Sequence, residues 1–353
     1  MRAILKQALY LAIALAGIYV FLLASSYAFV PSLNNARLGL DSSRAEGTIF
    51  STDPKYVFLN RAAVRPDANR VVFAGASNTA VGFKQREVQE LLPSVEVDNL
   101  SVGGSNMTQV AQIVELVQDL QSAPARRRTT FVIGIWYGMF VQDGFRWTTP
   151  DRHNGDTDID IERYRYGFYR RSESGPRQVL PSGELSLGVT LIRPYLVFDE
   201  LSRVASKGFR QRLSGKPLRR TDAERNASLV SEADRVSALK YWRTQMHSDG
   251  AIAEEQFLVL RDLVARVLAR GSKVVLVDLP IPHWHAERSP FYAHYLDRKQ
   301  ALLSVLEGKP GFSVLEMADE NEDLDFSDEV HPKPRVTPHW AGQIAALLQG
   351  SDT

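Results

Sequence analysis

The stretch that most constrains the fold runs from Arg70 to Thr79, Arg-Val-Val-Phe-Ala-Gly-Ala-Ser-Asn-Thr. A charged residue leads an apolar, β-favouring run that stops at Gly75-Ala76-Ser77-Asn78. A continuous run of this kind, closed by small residues, is the pattern of a strand buried on both faces of a parallel sheet. The sudden change to small and polar residues predicts a tight strand-to-helix turn that presents Ser77 at the carboxyl end of the sheet. In open α/β sheets ligands bind at that edge. Ser77 is therefore a candidate nucleophile, and the rest of the chain must supply its base, its oxyanion donors and its address.

The pattern recurs. Val95–Leu100 predicts a second strand, running into the glycine-rich loop Ser101-Val-Gly-Gly-Ser-Asn106. Met107, Val110, Val114 and Val117 then recur at helical spacing. Thr130–Tyr137 predicts a third strand, Ser272–Leu279 a fourth and Phe312–Met317 a fifth. Helices are expected over Lys84–Leu92, Thr221–Met246, Glu254–Ala269, Phe291–Leu306 and His339–Leu348. Pro93 closes the first of these and Gly271 the third. Strands alternating with helices predict a three-layer α/β/α domain, flavodoxin-like, on a parallel sheet of about five strands. From 139 to 220 the period is lost, which predicts an insertion with short hairpins or helices of its own. The basic and polar section from Arg210 to Arg225 is expected to be mobile.

Arg2 and Lys6 precede an almost purely apolar run from Ala8 to Val30, and the next basic residue is Arg37. A run of about twenty residues suffices to cross a bilayer as a helix. The basic flank predicts a cytoplasmic amino terminus at an inner membrane, with the bulk of the chain in the periplasm or extracellular space. A retained anchor over 1–30 is the preferred reading. A cleaved signal peptide ending near Ser26-Tyr27-Ala28 is the competing one. Residues 31–69 then form a tether and 70–353 the domain.

Across 353 residues the formal net charge is +1, which argues against a bulk polyanion binder and, with the expected location, against nucleic acid. The absence of cysteine excludes disulfides and thiolate metal sites. No cofactor is expected.

A serine nucleophile needs a base that is itself oriented by a third group. Of the seven histidines only His331 has an aspartate three residues before it, Asp328. Both fall in a loop after the last strand, at the same sheet edge as Ser77. An Asp-x-x-His pair in a tight loop lets the carboxylate hold one imidazole nitrogen while the other faces the serine.

Gly-x-Ser77, Asn99-Leu-Ser-Val-Gly-Gly104 and Asp328-x-x-His331-Pro follow one another in that order. This ensemble resembles the SGNH/GDSL hydrolase superfamily, whose first, second and fifth sequence blocks have that content. The resemblance implies that Ser77 is the nucleophile, His331 the base and Asp328 its partner. It further implies an oxyanion hole built from the backbone N–H groups of Ser77 and Gly104. The chain departs from the family at Ala76, where aspartate is usual, and at the third strand's end. There Ile135-Trp136-Tyr137-Gly138 lacks the third-block asparagine. Asn78 and Asn106 are both available as the missing donor. These departures, with the apolar amino terminus, are similar to the DltD-like and alginate-acetylation-like branch. That branch implies O-acyl transfer to an exported polysaccharide beside a membrane-bound O-acyltransferase. The alternatives are an esterase with the same residues and an inactive assembly or polymer-binding subunit.

Trp136 and Tyr137 are candidates for stacking on a sugar ring, and His283 and His285 for lining an acceptor groove. His283-x-His285 has no further clustered ligands in sequence to make a metal site. The basic-aromatic stretch from Arg163 to Arg171 suits either a glycan surface or a solvated face.

Overall fold

The computed structural model describes residues 2–29, 67–140, 164, 167–172, 175–213, 222–245 and 252–350. Seven strands are described: β1 Arg70–Ala74, β2 Glu96–Asn99, β3 Thr129–Ile135, β4 Tyr169–Ser172, β5 Gly175–Gln178, β6 Lys273–Asp278 and β7 Phe312–Glu316. Five of them form one parallel sheet in the order β2-β1-β3-β6-β7. The chain is thus an α/β protein on a parallel sheet. Strands β4 and β5 pair antiparallel as a separate hairpin.

The helices, in chain order, begin with α1 Arg2–Phe29, α2 Ser77–Gly82, α3 Gln85–Leu91, α4 Met107–Leu120, α5 Ala123–Arg127 and α6 Ser182–Leu213. They continue with α7 Asp222–Ala227, α8 Glu232–Gln245, α9 Glu254–Ala269, α10 His283–Arg288, α11 Tyr292–Leu306 and α12 Thr337–Gly350. α4 packs on α9, α11 on α9, and α12 on α2 and α3.

The apolar runs form the core because they are strands buried on both faces. Val71, Val72, Phe73 and Ala74 are all buried, and Phe73 stacks on Phe83 at 5.2 Å between ring centroids. Burying each large side chain of this kind contributes about 1.5–3 kcal/mol. The charge that leads β1 is buried as well. The Arg70 guanidinium pairs with Asp98 and, at 2.6 Å, with Glu96 of β2, at the edge opposite Ser77. Burial pushes the Asp98 carboxyl up to about 6, although Arg70 opposes the shift.

The order reverses at β1, with β2 on one side and β3, β6 and β7 on the other. In parallel α/β sheets a crevice opens outside the carboxyl ends of the strands at such a switch point. Ser77 lies there.

Several expectations needed adjusting. The turn after β1 is shorter than expected, so that α2 begins on Ser77 itself. The helix expected over 221–246 is two, because residues 228–231 break it between α7 and α8. The Arg126–Arg128 run, whose charge predicts an exposed turn before the third strand, lies instead at the end of α5, which Ser122 caps with Pro124 in its first turn. α10 was not expected. Within 139–220 a hairpin and a long helix are described, and α6 reaches Leu213. α6 and α7 thus take both ends of the section expected to be mobile; its middle, 214–221, lies outside the described residues, as does the tether over 31–66. In the basic-aromatic stretch, the Arg171 guanidinium lies 4.4 Å over the Tyr164 ring, and Arg170 and Arg171 are exposed.

α1 is long and apolar enough to cross a membrane over Arg2–Ser26, by length and composition.

Candidate active site

Three loops converge at the carboxyl end of β1. The first is the Gly75-Ala76 turn. A side chain at Gly75 would lie 2.1 Å from Thr79 Oγ1, so only glycine allows α2 to begin this close to the strand. The first N–H groups of a helix have no acceptor within it, which leaves that of Ser77 available to a ligand.

The second is the loop after β2. The N–H of Leu100 donates to the Phe73 carbonyl at 2.9 Å and that of Val102 to the Gly75 carbonyl at 3.0 Å. These bonds clamp the loop to the Ser77 turn, and a Cβ on Gly103 would lie 3.7 Å from that of Ser77. Gly104 has φ +74°, a backbone conformation that favours glycine.

The third is the loop from Phe326 to Pro332, which folds back as an isolated antiparallel bridge between those two residues. Asp328 Oδ1 accepts from the backbone N–H of Val330 at 3.0 Å and of His331 at 2.8 Å. Its Oδ2 lies 2.8 Å from His331 Nδ1, and His331 Nε2 lies 2.7 Å from Ser77 Oγ. Burial disfavours charge on His331, but the Asp328 hydrogen bond and charge outweigh it and raise the imidazole pKa above 6.5. Burial likewise opposes ionisation of Asp328. The hydrogen bond and charge of His331, with the two backbone donors, hold its carboxyl below the ordinary range. Ser77, His331 and Asp328 therefore form one hydrogen-bonded series, the arrangement that a serine nucleophile with a base and an orienting carboxylate requires.

A cavity of about 450 Å³ opens over Ser77, lined by Ala76, Gly104, Trp136, Tyr241, Trp242, Glu329, Val330 and His331. Trp136 and Trp242 meet edge to face at 4.8 Å between centroids, and Tyr241, half-exposed, meets Trp242 the same way at 5.3 Å. Burial, and then the neighbouring Asp328 charge, raise the Glu329 carboxyl above its ordinary value.

Of the four residues expected at the substrate, only Trp136 lines the cavity. Tyr137 and His285 are corrected to a bracing role, because both are fully buried. The Tyr137 hydroxyl donates to His285 Nε2 at 2.5 Å, and His285 Nδ1–H donates to the Glu329 carbonyl at 2.7 Å. This chain ties the end of β3 to the loop that carries Asp328 and His331. It requires neutral imidazole, and burial lowers the His285 pKa to about 4. His283 is exposed and pairs with Glu287 at 3.4 Å, away from the cavity lining. Among the described residues no three potential metal ligands gather.

Neither asparagine lines the cavity. Asn106 caps α4, its Oδ1 accepting the Gln109 N–H at 3.2 Å in a capping box. Asn78 Oδ1 accepts the Thr79 N–H at 3.0 Å, and its Nδ2 is buried with no partner among the described residues. At the end of β3 stands Trp136, whose Nε1–H is also buried without a partner among the described residues.

Tyr241, Trp242 and Glu329 escaped the sequence reading. The adjacent aromatics in a helix otherwise made of charged, polar and smaller apolar residues were the one available signal for the first two.

No model of a known protein family and no curated protein matches the chain.

The His285 brace gives a stability prediction. Its folded pKa, about 4, lies below the unfolded value of 6.5, so the unfolded chain binds the proton more readily. The stabilisation is therefore complete above 6.5 and lost as pH falls toward about 4. A shift of this size corresponds to about 3 kcal/mol. Unfolding free energies of the wild type and of His285→Gln, from denaturant curves near neutrality and at low pH, are expected to converge by that amount on acidification. Parallel pH profiles for the two proteins would refute the brace.

Proposed function

We propose that this chain is a membrane-anchored, extracytoplasmic SGNH-like O-acyltransferase that acylates a polysaccharide. The observation that carries the reading is the Ser77–His331–Asp328 chain at 2.7 and 2.8 Å beneath an aromatic-walled cavity. The strand order β2-β1-β3-β6-β7 supports a three-layer, flavodoxin-like arrangement with the nucleophile at its switch point.

In this reading His331 Nε2 takes the Ser77 proton as Oγ attacks the donor's acyl carbonyl. The N–H groups of Ser77 and Gly104 hold the oxyanion, each such donor contributing about 2.7–4 kcal/mol of transition-state stabilisation. The intermediate collapses, and the leaving group departs with the proton from His331. A sugar hydroxyl then gives its proton to His331, attacks the acyl-enzyme and restores Ser77. Tyr241, half-exposed, offers a face for the sugar ring, whose C–H groups suit aromatic surfaces, while the nearly buried Trp136 and Trp242 complete the cavity wall. No cofactor takes part. Arg2 and Lys6 in the first two turns of α1 support an inner-membrane anchor with the domain outside. A membrane-bound O-acyltransferase is the proposed donor of acyl groups.

The test is to incubate the purified full chain with an activated acetyl ester, with and without an oligosaccharide acceptor. Acetylated oligosaccharide formed at the expense of free acetate supports transfer. Hydrolysis indifferent to the acceptor assigns an esterase, and failure of a fluorophosphonate to label Ser77 assigns an inactive subunit.

A further inference from the structure

We infer that the outer face of α6 lies in the lipid boundary of the membrane that α1 crosses. The inference rests on α1 being a retained anchor, and it is independent of the chemistry at Ser77.

Over its first four turns α6 is apolar on two opposite sides. Leu185 and Val189 are buried, and Ile192 packs against the domain core. A side chain at Gly188 would strike the Phe168 ring at 2.6 Å, so this side sits tightly on the residues before β4. The other side carries Leu187, Leu191 and Tyr195, four residues apart and 60, 48 and 63% exposed. Further along, Phe209 and Leu213 are 65 and 72% exposed at the same spacing. A helix that buries one apolar side in its own domain has no reason to keep a second in water.

What covers that second side is indicated by α1. The Tyr19 hydroxyl donates to the Leu191 carbonyl, and α1 and α6 run in contact. None of the most apolar part of α1 is buried inside the protein, whereas Ser26 is fully buried. Tyr19 lies seven residues before Ser26, about 10 Å along the helix axis. Leu191 is thus held alongside the membrane-crossing portion of α1, which places the exposed row it belongs to next to that helix. Interfacial helices bury such a face about 5–10 Å into the headgroup and acyl boundary. Two membrane contacts, one crossing and one lying against the surface, would fix the domain's orientation and with it the direction in which the Ser77 cavity faces.

The chain has no cysteine, so single thiols can be placed without background. Leu187→Cys, Leu191→Cys and Tyr195→Cys in the full chain, labelled with bimane, are reconstituted into phosphatidylcholine–phosphatidylglycerol vesicles. Ala14→Cys on α1 and Glu255→Cys on α9, both exposed, serve as controls. With brominated lipid, the three α6 positions are expected to lose fluorescence as Ala14→Cys does, while Glu255→Cys loses none. Quenching at Ala14 with α6 matching Glu255 would overturn the inference and leave the anchor standing. A blue-shifted α6 probe that brominated lipid does not quench would assign the face to a protein contact and also overturn it. An unquenched Ala14 would remove the anchor, and the inference with it.

Discussion

Replacing Ser77 with Ala is expected to lower acyl turnover by a factor on the order of 10⁴ to 10⁶, with the fold intact. The variant loses the hydroxyl oxygen that lies 2.7 Å from His331 Nε2 and is the proposed acyl acceptor. The backbone donors of Ser77 and Gly104 remain, so a small polarising effect on bound ester survives. Stability should change by no more than about 1 kcal/mol, because the lost hydroxyl sits at a cavity wall and not in the core. Three readings check this together: acetyl-ester turnover, intact mass of the acyl-enzyme and the thermal midpoint. Turnover near that of the wild type in a folded Ser77→Ala protein would sink the proposed mechanism.

Asp328→Asn should reduce turnover by roughly 10⁴ and move its pH profile. The backbone donors of Val330 and His331 hold Oδ1 of the side chain at residue 328. The amide nitrogen is thereby left facing His331 Nδ1, where a donor meets a donor and the imidazole takes the wrong tautomer. The pH effect follows from the same pair. Because Asp328 raises the His331 pKa, the base is neutral and competent only above that raised value. In the wild type kcat/KM should therefore rise with pH through a limb above 6.5, the ordinary histidine value. Without the carboxylate, burial is opposed only by the weaker influence of the Glu329 charge, and the limb should shift to lower pH. A limb that stays in place in Asp328→Asn would show that another group controls the profile. The two histidines have opposite signs: acidification stabilises the folded state through His331 and destabilises it through His285.

Much of the site was legible because its parts are local. Gly75-Ala76-Ser77 announces itself as a break in an apolar run. Asp328 and His331 lie within one loop, where a three-residue spacing is enough for the carboxylate to hold both the ring and the backbone. Gly104 follows β2 just as Ser77 follows β1, and parallel strands bring such loops to one edge. Tyr137 and His285 were misread for the opposite reason. An aromatic at a strand end and a histidine in a proline-rich loop look like ligand contacts in sequence. They are 148 residues apart and satisfy each other in the interior.

The cavity wall shows the same limit. Tyr241 and Trp242 reach the cavity over Ser77 from α8, a helix that follows the irregular stretch of the chain. Glu329 takes its environment from Trp242 and the adjacent Asp328.

The sequence by itself determined the α/β class, the parallel strands, the membrane-length helix and the order of the Ser, Gly, Asp and His residues. Those features depend on local periodicity, turn chemistry and short spacing, which a linear reading contains. Only the tertiary structure decided that Trp136 faces the cavity while Tyr137 is sealed behind it. The tertiary structure also decided that Asn106 is spent on a helix cap and that α6 shows one apolar side to its domain and another outward. Each of these depends on which distant segment buries a given side chain, and burial is a property of the packed chain.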